Sequence, residues 1–208
     1  MNLLFLSSWF PFPPDNGSKI RVYHLLRALG QRHEVTLLSF AWDTARPDVA
    51  SASQAFCAAV RAVPLDPFAT NQASALRTFL SFRPMASRPI PAMQACTAAA
   101  LRAQKFDAVI ASTEMMAPYA LQASDGVPRI LEDHNAMTRW AWERYLAQTN
   151  PLQRVRCWLS WQKNRHYEAR LFRRFDLVAM VSEQDRAACL ESLPGYRGPV
   201  AVIPNGVD

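Results

Sequence analysis

Residues 3–40 read LLFLSSWFPFPPDNGSKIRVYHLLRALGQRHEVTLLSF, and the order of elements within this stretch decides the fold. Leu3 to Ser8 is a short apolar run suited to a buried strand, and residues 11–17 are dense in turn formers. A helix follows, with Ser18 as its expected N-cap. Ile20, Tyr23 with His24, and Arg27 mark successive turns, Leu25, Leu26 and Leu29 supply apolar bulk, and Gly30 stops it. His33 to Phe40, with Val35, Thr36, Leu37 and Leu38, then has strand propensity. Strand, glycine-containing loop, helix and strand make a βαβ unit.

The same grammar recurs downstream. Ala-rich helices are expected over 47–60, 71–82 and 91–104, with a short strand over 60–65. FDAVIAS at 106–112, residues 129–132, FDLVAMV at 175–181 and residues 200–203 read as strands, and 136–148, 152–174 and 183–192 as helices. Strands that alternate with helices, without the in–out alternation of half-exposed sheets, predict a parallel sheet covered on both faces. The expected fold is therefore α/β: a Rossmann-like three-layer domain with a mostly parallel sheet of about seven strands. In such sheets ligands bind beyond the carboxyl ends of the strands. That rule selects the segments after Ser8, Ser112, Glu132 and Val181.

Composition narrows the function classes. The 208 residues, 19% charged and 11% aromatic, suffice for a buried core and exclude a disordered regulator. Seven cations (Arg154, Arg156, Lys163, Arg165, Arg170, Arg173 and Arg174) stand against Glu168 alone between Pro151 and Arg174, so the whole formal excess of +6 belongs to that window. Cys57, Cys96, Cys157 and Cys189 are more than 30 residues apart, without CxxC or Cys/His ligand spacing; reduced, buried thiols are expected and a structural zinc is not. The apolar start lacks a basic n-region and is broken by Pro11, Pro13 and Pro14, too short for a signal peptide or a membrane span. The expectation is a cytoplasmic chain.

Each strand end carries a different chemistry. The first, WFPFPPDNGSK at 9–19, has one glycine and matches neither G-x-G-x-x-G nor a P-loop. Gly17 still lies where the chain enters a helix, so its backbone can approach an anion, with the helix dipole and Lys19 or Arg21 adding positive potential; the plain alternative is an Asn16-Gly17 turn. The third, LEDHN at 131–135, presents two acids, an imidazole and an amide together. His134 can offer a donor or an acceptor to a sugar hydroxyl, with Asp133 fixing its tautomer, or can be an ordinary satisfied histidine. Ser112-Thr113-Glu114 and Ser182-Glu183-Gln184 each place a hydroxyl before an acid at a helix start, which N-capping explains without a ligand. In the basic segment, 100° per residue puts Leu152, Val155, Leu159 and Ala169 on an expected core face. Arg156, Lys163 and Arg174 form one flank, and Arg154, Arg165, Trp161 and Phe172 the other. Cations among large aromatics suit an anionic membrane surface, nucleic acid, or a solvated helix flank.

Taken in order, these stretches resemble the N-terminal domain of retaining glycosyltransferases of the GT-B fold, family 4. The family opens with a strand, a P-x-x-G-G-x-x-x-R loop, a helix ending in L-x-x-x-G-H-E-V and a second strand; here Pro14, Gly17, Arg21, Leu29, His33, Glu34 and Val35 carry the likeness, Pro14 and Leu29 each one residue later than that spacing, with Asn16 where many members have another glycine. ILEDHNAMTRWAWERY, HYEARLFRRFDLVAMVSEQD and VIPNGVD resemble later family segments, so the likeness spans 1–208. It implies an acceptor-side domain of a two-domain enzyme that moves a sugar, with retention, from a nucleotide-sugar (UDP- or GDP-linked) to a glycan or lipid-linked acceptor. Cell-envelope polysaccharide or glycolipid synthesis at the inner face of the membrane is the implied setting, without a tightly bound cofactor or metal. It further implies that Gly17 lies near the donor's sugar and diphosphate, that His134 contacts the transferred sugar as the catalytic residue, and that Arg21 and Ser182 face the cleft beside Asn16 and Asp133. Arg154, Arg156, Trp161, Lys163 and Arg165 are the candidate membrane or acceptor surface. Because family members continue beyond the position of Asp208 into the donor-binding domain, that domain is expected outside this chain, and the chain alone is expected to be inactive. The alternative is a non-catalytic module of the same fold that binds a glycan, nucleotide or lipid headgroup.

Overall fold

The computed structural model describes residues 1–41, 55–69, 89–134 and 137–206. The helix expected over 71–82 and most of that over 47–60 lie outside these residues. In chain order the elements are β1 (Asn2–Ser7), α1 (Gly17–Gly30), β2 (Glu34–Phe40), β3 (Ala59–Val63), α2 (Pro91–Ala103), β4 (Ala108–Ser112), a 3-10 turn (Glu114–Met116), α3 (Ala117–Ala120) and β5 (Arg129–Glu132); then α4 (Met137–Leu146), α5 (Pro151–Phe172), β6 (Leu177–Met180), α6 (Glu183–Ser192) and β7 (Val200–Val202). The strands form a parallel sheet in the order β3-β2-β1-β4-β5-β6-β7, the α/β class the sequence predicts. The described residues fall into two compact units, one built from Met1–Ala69 and Pro89–Leu131, the other from Glu132–Asp208.

In the first unit β1, β2 and β4 are buried on both faces, whereas the edge strand β3 is mostly exposed. Leu3 pairs with Val35 and Ala108, and Phe5 with Leu37 and Ile110; these residues form one cluster with Val22 and Leu26 of α1 and with Cys57. Alternation sends Leu4, Leu6, Leu38 and Phe40 to the opposite face. There Gln104 Nε2, just beyond α2, donates to Thr36 Oγ1 (3.0 Å), and Phe40 meets Tyr119 edge-on. Burial pushes the Cys57 thiol up to about 11, so this sulfur is a packing group and not a nucleophile. Cys189 is buried as well, whereas Cys96 and Cys157 are half-buried; all four are free thiols.

Several local expectations are corrected. Asn16, not Ser18, caps α1: it has extended φ/ψ, and its side chain accepts the Lys19 backbone N–H at 3.0 Å. Asn is as good a cap as Ser, and the helix starts two residues earlier than the apolar pattern shows. Gly30 does not end α1 through a left-handed conformation. A Cβ there would stand 2.1 Å from the backbone oxygen of Phe56, so the close passage of another chain segment demands the glycine. Residues 59–60, expected at the end of a helix, begin β3 and pair with Thr36 and Leu37.

In the second unit, α5 departs most from expectation. Leu152, Val155 and Leu159 do not face a core: they are exposed, and burial along α5 begins only at Glu168. The first half of α5 packs against α4 instead, through Trp142 on Trp161 (4.5 Å) and Arg154 over Tyr145 (5.0 Å). A buried hydrogen bond between Thr138 and Glu168 closes the base of this hairpin. Helical periodicity identifies an apolar stripe but not what it meets.

Candidate functional site

The connections β1–β2–β3 run one way across the sheet and β4 lies on the other side of β1, so the order reverses between β1 and β4. Such a reversal opens a crevice at the carboxyl ends, where α/β proteins place ligands. Two of the four segments selected from the sequence, those after Ser8 and Ser112, belong to this point in the first unit.

After β1, the chain turns through residues 9–16 and enters α1 at Gly17. Nothing lies within 4 Å of where a Gly17 Cβ would stand, and its φ is not in the left-handed region. Neither packing nor backbone conformation therefore requires glycine here. Lys19 Nζ pairs with Asp15 Oδ1 at 2.9 Å, which holds the exposed Asp15 carboxyl below its ordinary value and neutralises the Lys19 charge locally. Arg21, one turn into α1, is buried, so of the two cations in this turn it is the one held inside the unit.

After β4, the expected N-cap is not formed. Thr113 makes no side-chain capping bond, and its φ of 78° with ψ of 156° is a region that glycine occupies and a β-branched residue avoids. Its Oγ1 lies 3.2 Å from Ser8 Oγ, so hydroxyls from the ends of two adjacent central strands meet at the reversal point. Sequence reasoning missed this pair, because neither residue type signals a strained backbone.

In the second unit, β5 delivers Glu132, Asp133 and His134, all buried. Asp133 continues the strand's pairing, its backbone N–H donating to Ala179 O at 2.9 Å. The partner of His134 is Glu132 rather than Asp133: Nε2 and Glu132 Oε2 are 2.7 Å apart. Residues two apart on an extended chain point to the same side, whereas Asp133 points to the other. The contact occupies Nε2; with Glu132 ionised, and so only an acceptor, the ring proton sits on that nitrogen. Asn135 lies outside the described residues.

After β6, Ser182 caps α6. Its Oγ accepts the Asp185 backbone N–H (3.0 Å) and donates to Asp185 Oδ2 (2.6 Å), while Arg186 Nη1 pairs with Glu183 at 3.1 Å. The hydroxyl thus has a structural occupation. Replacement of Ser182 by alanine is expected to cost about 1 kcal/mol, read as a fall of about 2–4 °C in Tm.

The basic candidates divide. Arg165 stacks over Trp161 (4.8 Å) and donates through Nε to Ser192 O (3.2 Å), and Trp161 lies against Trp142, so both are spent inside the unit together with Arg154. Arg156 instead lines a cavity of about 280 Å³ between α4 and α5, with Trp140, Arg144, Gln153, Ser160 and Asn164. Among the described residues, no group of three or more His, Cys, Asp or Glu side chains gathers in metal-ligand fashion, and no helix is long and apolar enough to cross a membrane.

Comparison with known proteins agrees with this fold. The chain is similar to sucrose-phosphate synthase from Thermosynechococcus elongatus, at 15% identity and a TM-score of 0.63 over 100% of this chain and 49% of that one. It is similar to Phytolacca americana UGT2 complexed with UDP-2fluoro-glucose and pterostilbene (12% identity, TM-score 0.58, 100% and 54% covered). A UDP-glucosyltransferase from Polygonum tinctorium, in complex with 3,4-dichloroaniline, also matches (12% identity, TM-score 0.53, 99% and 52% covered). The chain thus spans about half the length of these structures, and its fold is that of the N-terminal half of GT-B glycosyltransferases. No curated protein sequence matches it significantly. The profile of Glycosyltransferase Family 4 matches residues 15–208, nearly the whole chain, and the chain belongs to that family.

Proposed function

We propose that this chain is the acceptor-side domain of a retaining glycosyltransferase. The enzyme moves a sugar from a UDP- or GDP-linked donor to a glycan or lipid-linked acceptor in cell-envelope polysaccharide or glycolipid synthesis, at the inner face of the membrane. The observation that carries this reading is Gly17. It opens α1 at the sheet's reversal point with empty space where a side chain would stand, although neither its conformation nor its neighbours ask for glycine. Space kept clear beside the N-terminal N–H groups of a helix is what a diphosphate needs in order to approach the backbone.

Transfer with retention passes through a transition state in which positive charge develops on the sugar and negative charge on the leaving diphosphate. Arg21 and the α1 N-terminus favour the anion. Ser8 and Thr113, in the same unit as Arg21, offer hydroxyls to a polyol; in the second unit His134, held by Glu132, meets a sugar hydroxyl. Most of the donor contacts and the groups that assist departure belong to the second domain, and no tightly bound cofactor or metal is part of the proposal.

The test is a donor screen on the full-length protein, following nucleoside diphosphate release with and without EDTA and in the presence of lipid-linked and free glycan acceptors. Gly17→Val is expected to keep the wild-type circular dichroism and Tm, since nothing lies within 4 Å, and to lose about 100-fold in kcat/KM through loss of diphosphate positioning. Unchanged transfer by this variant would overturn the role of Gly17. Tight binding of a glycan or nucleotide without turnover by the wild-type protein would favour the non-catalytic module.

A further inference from the structure

The hairpin of α4 and α5 carries a surface that the glycosyl-transfer site does not use. Leu152 is 82% exposed and Val155 59%, and Leu159 and Trp158 are exposed beside them; Leu146, at the end of α4, is 54% exposed. Leu152, Val155 and Leu159 stand at i, i+3 and i+7, so they form one stripe along α5. The contacts of α5 with α4 come from Arg154, Trp161 and Glu168, which by the 100° rule lie on the opposite side of the helix. Among the described residues the apolar stripe therefore faces away from the packing on α4. Soluble chains scatter single exposed apolar residues, but a contiguous stripe with large side chains marks a surface that meets something.

The charges beside the stripe identify the partner. By the same rotation Arg156 and Lys163 lie along the edge of the Leu152–Leu159 row, and the first acid in α5 is Glu168, buried at the far end. On the flank next to Arg156 is the cavity of about 280 Å³, lined by Arg144 and Arg156 with Gln153, Ser160 and Asn164, a set of cations and hydrogen-bond donors without a carboxylate. Trp140, also exposed, closes one side of it, with the Arg144 guanidinium 5.4 Å from the ring centre. A second copy of the hairpin would bring like charges together. An acyl-chain boundary beneath a layer of phosphate headgroups satisfies both components at once: apolar side chains enter the boundary, cations meet phosphates, and tryptophan sits between.

We propose that the α4–α5 hairpin docks on an anionic lipid bilayer, with Leu152, Val155 and Leu159 inserted at the headgroup–acyl boundary. Arg156, Arg144 and Lys163 then hold lipid phosphates, Arg156 and Arg144 from the cavity between the helices. This deepens the membrane side of the proposed function and rests on that side alone, because vesicle binding and sugar transfer to a soluble acceptor are separate measurements.

The experiment is flotation of the full-length protein with vesicles of phosphatidylcholine alone and of phosphatidylcholine with roughly one-third anionic phosphatidylglycerol. Wild type is expected to float only with the anionic vesicles, less so as salt rises. Arg156→Glu with Lys163→Glu is expected to weaken binding by about 30-fold or more. Leu152→Ser, Val155→Ser and Leu159→Ser together should weaken it at least about tenfold at unchanged charge. All five positions lie ahead of the buried end of α5, which begins at Glu168, and their replacement is expected to leave circular dichroism unchanged. Full binding by the serine variant, binding that ignores lipid charge, concentration-dependent dimerisation lost in the serine variant, or preferential retention by DNA or RNA would each overturn the proposal. Loss of vesicle binding with transfer to a soluble acceptor intact supports it. Vesicle binding without any transfer leaves the docking surface standing and overturns the glycosyl-transfer reading.

Discussion

Replacement of His134 by alanine in the full-length enzyme is expected to lower kcat about 100- to 1,000-fold, the usual loss when one preorganised polar group is removed from a transition state. His134 is buried and its ring is held through Nε2 by Glu132 at 2.7 Å, so its orientation is set before a ligand arrives. That preorganisation is the reason the effect should fall on kcat more than on KM. Glu132→Gln separates the ring's placement from its charge. The glutamine carbonyl still accepts from Nε2–H and keeps the ring in place, while the carboxylate's negative charge is gone, so a loss smaller than that of His134→Ala is expected. Stopped or coupled assays of diphosphate release, beside circular dichroism of each variant, decide the matter. Near-normal turnover by His134→Ala with an intact fold would remove this residue from the mechanism. A loss of fold in both variants would assign the Glu132–His134 pair to stability instead.

Gly30→Ala is expected to destabilise the protein, against the direction that helix propensity gives. Exchanging glycine for alanine inside a helix ordinarily gains up to about 1 kcal/mol. Here the new methyl would lie 2.1 Å from the Phe56 backbone oxygen. The Phe56 segment cannot simply retreat. The next residues are tied to the sheet by Ala58 N–H donating to Val35 O (2.9 Å), and the Phe56 ring packs edge-on against Tyr23 at 5.3 Å. Overpacking of this kind costs about 1–3 kcal/mol, so the net loss should be about 1–2 kcal/mol, with a larger loss for Gly30→Val. Thermal denaturation should show Tm lower by about 2–8 °C for the alanine variant. An increase in Tm would mean that the segment moves freely and that Gly30 is only a helix terminator.

Both expectations show how far residues alone carry the reading. The βαβ opening was legible because each layer has its own period: apolar runs at 3–8 and 35–40 for strands buried on both faces, and helical spacing between Ile20 and Leu29. Gly17, His134 and Ser182 were found by one rule, that chemistry collects where parallel strands end. The role of Ser182 as a cap could be stated from its place before Glu183 at a helix start, since a cap is a local contact. The identity of the His134 partner could not be settled by adjacency in sequence, because Asp133 and Glu132 differ only in which side of the chain they face.

The sequence by itself determined the order of elements, the parallel α/β class and the strand ends at which to look, since these follow from local periodicity and turn chemistry. Only the tertiary structure decided three things. Gly30 answers to Phe56, 26 positions later in the chain, and not to its own helix. Thr113 is held in a glycine-like conformation beside Ser8, 105 positions earlier. The apolar stripe of α5 points outward instead of into a core. A helix or strand pattern states which residues share a face. What that face meets depends on distant chain segments, and only the assembled fold brings those together.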